Sequence, residues 1–67
     1  MKITLNNRPD EIKKDKISLQ ELIEYKNFTF KMLVTKINGQ LVKKEERKNI
    51  IVKEGDNVQI IHLISGG

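Results

Sequence analysis

Sixty-seven residues make one domain with no room for a second core, and a domain of this size buries only about 60% of its unfolded surface. The lack of cysteine excludes disulfides, thiolate metal centres and a thiol nucleophile; with no signal peptide in view, it points to a reducing, cytoplasmic setting. Thirteen Lys and Arg against nine acids leave a formal charge of +4, and no apolar run approaches the ~20 residues that span a bilayer.

Met1-Lys2-Ile3-Thr4-Leu5-Asn6 alternates apolar and polar residues, which predicts a half-buried strand. Asn6-Asn7 suits a turn. Pro9 cannot donate to a ladder, so a strand through Arg8 to Lys13 is short and lies at an edge. Ser18 with Glu21 three residues on is a capping box, and Ile17 and Leu22 are spaced as a hydrophobic staple. Leu19, Leu22 and Ile23 then form one apolar stripe, so a helix runs from about Ser18 to Lys26 and stops at Asn27. Phe28 and Phe30 are placed to plug the end of the core.

Met32 to Ile37 reads as a strand, Asn38-Gly39 as a tight hairpin turn and Leu41-Val42 as its return. Lys43 to Lys48 is a charged excursion with room for one helical turn, its mixed signs typical of a solvated face. Asn49 to Val52 is a short strand candidate. Glu54-Gly55-Asp56 turns the chain into the final strand.

That strand carries the functional argument. From Asn57 onward, Val58, Ile60 and Ile64 point one way while Gln59, Ile61 and Leu63 point the other. A strand apolar on both faces suits the centre of a sheet, with one face on the core and the other open to a partner. Gln59, Ile61, Leu63 and Ile64 are the expected partner-binding residues. Directly after them come Ser65, Gly66 and Gly67. Two glycines make a thin tail that adopts backbone angles closed to other residues. Extended, it reaches roughly 10 Å past Ile64, enough to thread a tunnel and deliver one carboxylate to another protein's active site. The expected division is a folded domain over residues 1–64 and a tail over 65–67.

The order of strands around one helix predicts an α+β, β-grasp architecture: a mixed four- to five-stranded sheet packed on one main helix, first and last strands paired at its centre. The whole chain resembles the ThiS family of small sulfur carriers. The likeness rests on Met1 to Asn6, on Ile37-Asn38-Gly39-Gln40-Leu41-Val42, on Glu54-Gly55-Asp56-Asn57-Val58 and on Ile64-Ser65-Gly66-Gly67. Related carriers of the molybdopterin-synthase type often place a Phe-x-Pro-Pro stretch before the tail; His62-Leu63-Ile64-Ser65 has no proline. The sequence departs from its relatives in its lysine content and in Lys43-Lys44, where they often carry proline.

The resemblance implies a carrier rather than an enzyme. A ThiF-like adenylating enzyme would use ATP and Mg²⁺ to activate the Gly67 carboxylate, and a sulfur donor would convert it to a thiocarboxylate for a ThiG-like thiazole synthase. The chain itself would bind no cofactor and carry no catalytic residue. Transfer to molybdopterin or to a protein, as in ubiquitin-like modifiers, would share the tail chemistry and differ in recipient.

Other chemistries find little footing. His62, the only histidine, has no second soft ligand with which to hold zinc, so no metal site is expected. Ser65 with His62 lacks an orienting acid for hydrolysis. No glycine-rich phosphate loop is present. A small RNA-binding module resembling TGS domains would concentrate basic and aromatic residues on one face. Here Tyr25, Phe28 and Phe30 are the only aromatics and the lysines are dispersed among acids, so neither nucleic acid nor membrane is an expected partner.

Overall fold

The computed structural model describes residues 1–28 and 32–63. In β1 (Lys2–Leu5), Ile3 and Leu5 are buried as their alternation requires. Asn6 and Asn7 both take positive φ, 51° and 66°, in a tight two-residue turn. The turn sets β2 (Arg8–Glu11) antiparallel to β1, from Lys2 opposite Glu11 to Leu5 opposite Arg8. β2 is an outer strand, so Pro9 removes no hydrogen bond the sheet needs. Ile12 follows it into the core, its N–H donating to the Met1 carbonyl at 2.8 Å.

The stretch before the helix contains a strand the sequence pattern did not reveal. β3 (Lys16–Ser18) pairs antiparallel with β6 (Ile51–Lys53) in a separate two-stranded ribbon. The expected strand over Asn49 to Val52 is thus shifted toward the C-terminus. Ser18 closes β3 and caps α1 (Leu19–Tyr25). The Glu21 N–H donates to Ser18 Oγ at 3.0 Å and the Ser18 N–H donates to Glu21 Oε1 at 3.1 Å, completing the capping box. These contacts, the backbone N–H of Ser18 foremost, hold the Glu21 carboxyl below its usual value. Leu19, Leu22 and Ile23 are buried, as is Ile17 before the cap.

The helix ends as it begins, with its backbone satisfied. Asn27 takes φ 59°, its N–H donates to Glu24 and the Phe28 N–H donates to Ile23, a Schellman arrangement. Phe28 packs against the core as expected; Phe30 lies outside the described residues. Lys26, at this end, pairs with Asp10 of β2 at 2.8 Å, and the hydrogen bond it donates lowers the Asp10 pKa.

β4 (Leu33–Ile37) and β5 (Gln40–Val42) form the hairpin predicted at Asn38-Gly39, with φ of 51° and 83° at the two turn residues. The charged excursion holds a single 3-10 turn over Lys44–Glu46. β7 (Asn57–His62) is central: the sheet order is β2-β1-β7-β4-β5, with β1 parallel and β4 antiparallel to β7. One face of this sheet meets the helix through Ile3, Leu5, Val58 and Ile60. Each such fully buried aliphatic side chain contributes about 1.5–3 kcal/mol. The sheet and single helix are those of a β-grasp.

Candidate functional site

The site is the open face of β7 and its two flanks. β7 is held at its start by Asp56, which is buried and accepts the Lys53 N–H at 3.0 Å and the Asn38 side-chain N–H at 3.1 Å. Asn38 in turn accepts the Asn57 N–H at 2.9 Å. Two turns distant in sequence are thereby tied together under the entry to the strand.

On its β1 side, β7 is held by an unusual substitute. β1 ends at Leu5 while β7 continues, which would leave Ile60 without ladder partners. The Asn6 side chain fills the place: its Oδ1 accepts the Ile60 N–H at 2.8 Å and its Nδ2 donates to the Ile60 carbonyl at 3.1 Å. Sequence reading made Asn6 a turn residue only. Its positive φ is what turns the amide toward β7, and asparagine is among the few residues that tolerate that angle.

On the β4 side, Arg47 braces the sheet from within. Although it lies in the charged excursion read as a solvated face, it is buried. Its Nε donates to Thr35 Oγ1 at 3.1 Å and an Nη to the Leu33 carbonyl at 2.7 Å, while Thr35 Oγ1 donates to the Val42 carbonyl at 2.8 Å. A guanidinium buried among neutral acceptors joins the excursion, β4 and β5. Arg47 buries where the neighbouring lysines stay in water because its planar guanidinium is weakly hydrated and meets two acceptors at once.

With the strand so fixed, its faces separate. Val58 and Ile60 are buried, Gln59 is half-buried, and Ile61 and Leu63 are each 43% exposed. The charged excursion therefore does not cover Ile61 and Leu63. Pairing brings three further apolar residues to this face. Val34 stands opposite Ile61, Met32 receives the Leu63 N–H on its carbonyl at 2.9 Å, and Leu41 stands beyond Lys36, itself opposite Gln59. Met32 and Leu41 are strongly exposed. Alternation within β4 hints at Val34 and Lys36, but only the register of β4 on β7 groups them with Ile61. An uncovered apolar cluster flanked by lysine is the form of a protein-docking surface.

Ile64, Ser65, Gly66 and Gly67 lie outside the described residues. His62 is exposed at the end of β7. Among the described residues no three His, Cys, Asp or Glu side chains approach closely enough to hold a metal ion, and no helix is long and apolar enough to cross a membrane. Tyr25 is the exposed aromatic among the described residues, and it lies on the helix.

Comparison with known proteins places these features in context. The sequence profile of the ThiS family matches residues 3–67. A search of curated proteins returned no match. Among solved structures, the crystal structure of a thiamine biosynthesis protein (ThiS) from Geobacter metallireducens superposes with a TM-score of 0.90 at 23% identity, covering 100% of both chains. An NMR solution structure of a thiamine biosynthesis protein from the same organism gives 0.83 at 23% identity, covering 100% of this chain and 88% of that one.

Proposed function

We propose a function that starts from one established fact: the chain belongs to the ThiS family of small ubiquitin-like carriers. It carries sulfur for thiamine biosynthesis, as a thiocarboxylate on Gly67. The observation that supports this most directly is the reach of the family match, which runs through Ser65, Gly66 and Gly67 and so takes in the tail as well as the β-grasp. The open face of β7, leading in sequence into that tail, supplies the second half of the reading.

The chemistry follows from what a carboxylate lacks. Its charge repels nucleophiles and oxide is not a leaving group. In an adenylating partner of the ThiF type, a Gly67 carboxylate oxygen attacks the α-phosphorus of ATP, assisted by Mg²⁺, and pyrophosphate departs. A persulfide donor then attacks the acyl carbon and AMP leaves. A thiol cleaves the sulfur–sulfur bond, and the thiocarboxylate remains. As a soft anion it attacks an activated carbonyl held by a thiazole synthase of the ThiG type. ATP and Mg²⁺ belong to the partner, and this chain binds no cofactor of its own.

The carrier's part is address and delivery. Ile61, Leu63 and Val34, with Gln59, form the ground on which a partner seats, and Ile64, outside the described residues, is the next residue in sequence toward the tail. Glycines at 66 and 67 let the tail enter a channel too narrow for side chains. Lysines around the face speed encounter with an acidic enzyme more than they tighten the complex. Such a carrier works in the cytoplasm, where its enzymes and reducing thiols are found.

Intact mass spectrometry tests the reading. After incubation with ATP, the adenylating enzyme and a sulfur source, the chain gains the mass difference between sulfur and oxygen. A variant with one residue added after Gly67, or with Gly67 deleted, stays folded and gains nothing. An unchanged mass in the native chain, or equal conversion of the extended one, overturns the proposal.

A further inference from the structure

The open face of β7 holds one charge within its apolar ground as well as those at its border. β4 lies between β7 and β5, and on it Lys36 stands opposite Gln59 on one side and Leu41 on the other. Alternation puts Lys36 on the same side of the sheet as Val34, which stands opposite Ile61. Neighbouring strands are about 4.7–4.9 Å apart, so a surface covering both Ile61 and Leu41 crosses roughly 10 Å and passes over β4 at Lys36. Lys36 is half-buried, as a lysine is when its stem lies along apolar surface and its ammonium stays in water.

That ammonium has no counterion at home. Lys36 forms neither an ion pair nor a side-chain hydrogen bond with any described residue. Among the strands of this sheet, Glu11 is the one carboxylate on the open side; it stands opposite Lys2, with β1 and β7 between it and β4. The acids that follow β5 turn elsewhere, Glu46 to the groove between β5 and β6 and Glu45 to the neighbourhood of Gln20 on the helix. A partner seated on Ile61 and Leu41 therefore takes an unpaired charge out of water. Such a charge is costly to bury alone and tolerated when a carboxylate meets it.

Resting on the sulfur-delivery reading, we propose that Lys36 determines specificity: the adenylating partner sets a carboxylate over it, inside the apolar contacts, and a surface without one is refused. Rejection of the wrong partner is thereby built into the same residues that bind the right one. The adenylating enzyme is the occupant because it must recognise the carrier before any sulfur is present, and so reads the folded face. Lys36 differs in this from a border lysine such as Lys43, exposed just past β5, which acts on the rate of encounter.

Surface plasmon resonance with the full chain and the adenylating enzyme tests this. Lys36→Met keeps the stem and removes the charge, stranding the enzyme's carboxylate, so koff rises roughly 30-fold. Lys36→Arg keeps the charge and stays close to native. Lys43→Met lowers kon at low salt and leaves koff unchanged. Urea midpoints of all three match the native chain, which separates recognition from folding. Where the opposing surface is apolar, Lys36→Met instead tightens the complex. Tighter binding, an unchanged koff, or a loss confined to kon overturns the proposal and leaves the sulfur-delivery reading standing. Absence of binding by the native chain, with no mass gain on incubation, overturns that reading and this inference with it.

Discussion

Replacing Asn6 separates two things this residue does, holding Ile60 and tolerating a left-handed backbone. Asn6→Gly removes the amide but accepts φ 51° freely, so its cost is that of the two lost bonds to Ile60. A stranded buried group costs about 1–3 kcal/mol. Asn6 is exposed and water can take up part of its role, which puts the glycine variant at about 1–2 kcal/mol. Asn6→Ala adds the strain of a Cβ at positive φ, roughly 1 kcal/mol more. A domain of this size has about 3–10 kcal/mol of stability in all. Each kcal/mol shifts Tm by about 4–8 °C, so the two variants fall well apart. Urea denaturation gives the order native, glycine, alanine, and amide exchange at Ile60 accelerates in both. Equal loss in the two variants, or an Ile60 amide that exchanges as before, refutes the assignment of Asn6 as the strand's substitute partner.

Three further outcomes follow. Arg47→Ala strips Leu33 and Thr35 of their donor and removes a packed stem, lowering stability by about 2–3 kcal/mol. Arg47→Met keeps the stem and loses markedly less; equal losses by chemical denaturation would mean the hydrogen bonds dominate and the packing does not. Ile61→Asp reduces affinity for the adenylating partner by about 2 kcal/mol or more in calorimetric titration, while stability falls by about 1 kcal/mol. Native affinity with a collapsed fold would instead make Ile61 a core residue. Glu21 and Asp10 have folded pKa values below their usual 4.5 and 3.8, so the stability they contribute is complete above those values and fades as pH falls through the lowered ones. Urea midpoints therefore drop on acidification, and Glu21→Gln makes the drop shallower; an identical acid slope in the variant would discount the capping carboxylate.

The legible parts of this fold are those that local chemistry dictates. Ser18 and Glu21 announce a helix start within four residues, Asn38-Gly39 announces a hairpin within two, and alternation marks β1 and β7. Features that need two distant segments to meet were not legible. β3 is three residues long beside a run of lysines, and only its pairing with Ile51–Lys53 makes it a strand. Arg47 is indistinguishable by composition from its solvated neighbours. Val34, Met32 and Leu41 join Ile61 and Leu63 only through register. The candidate face was thus half visible, as the part lying on β7 itself.

The order in which the chain is made gives the central position of β7 a last meaning. Asn57–His62 emerges from the ribosome after the six other strands, yet β1 and β4 both need it as their neighbour. Until then a nascent chain has only two hairpins, a short ribbon and a seven-residue helix, each too small to persist in water. Products cut short before β7 therefore have no stable body and fall to proteolysis, so the folded molecules in a cell are those translated at least through this strand.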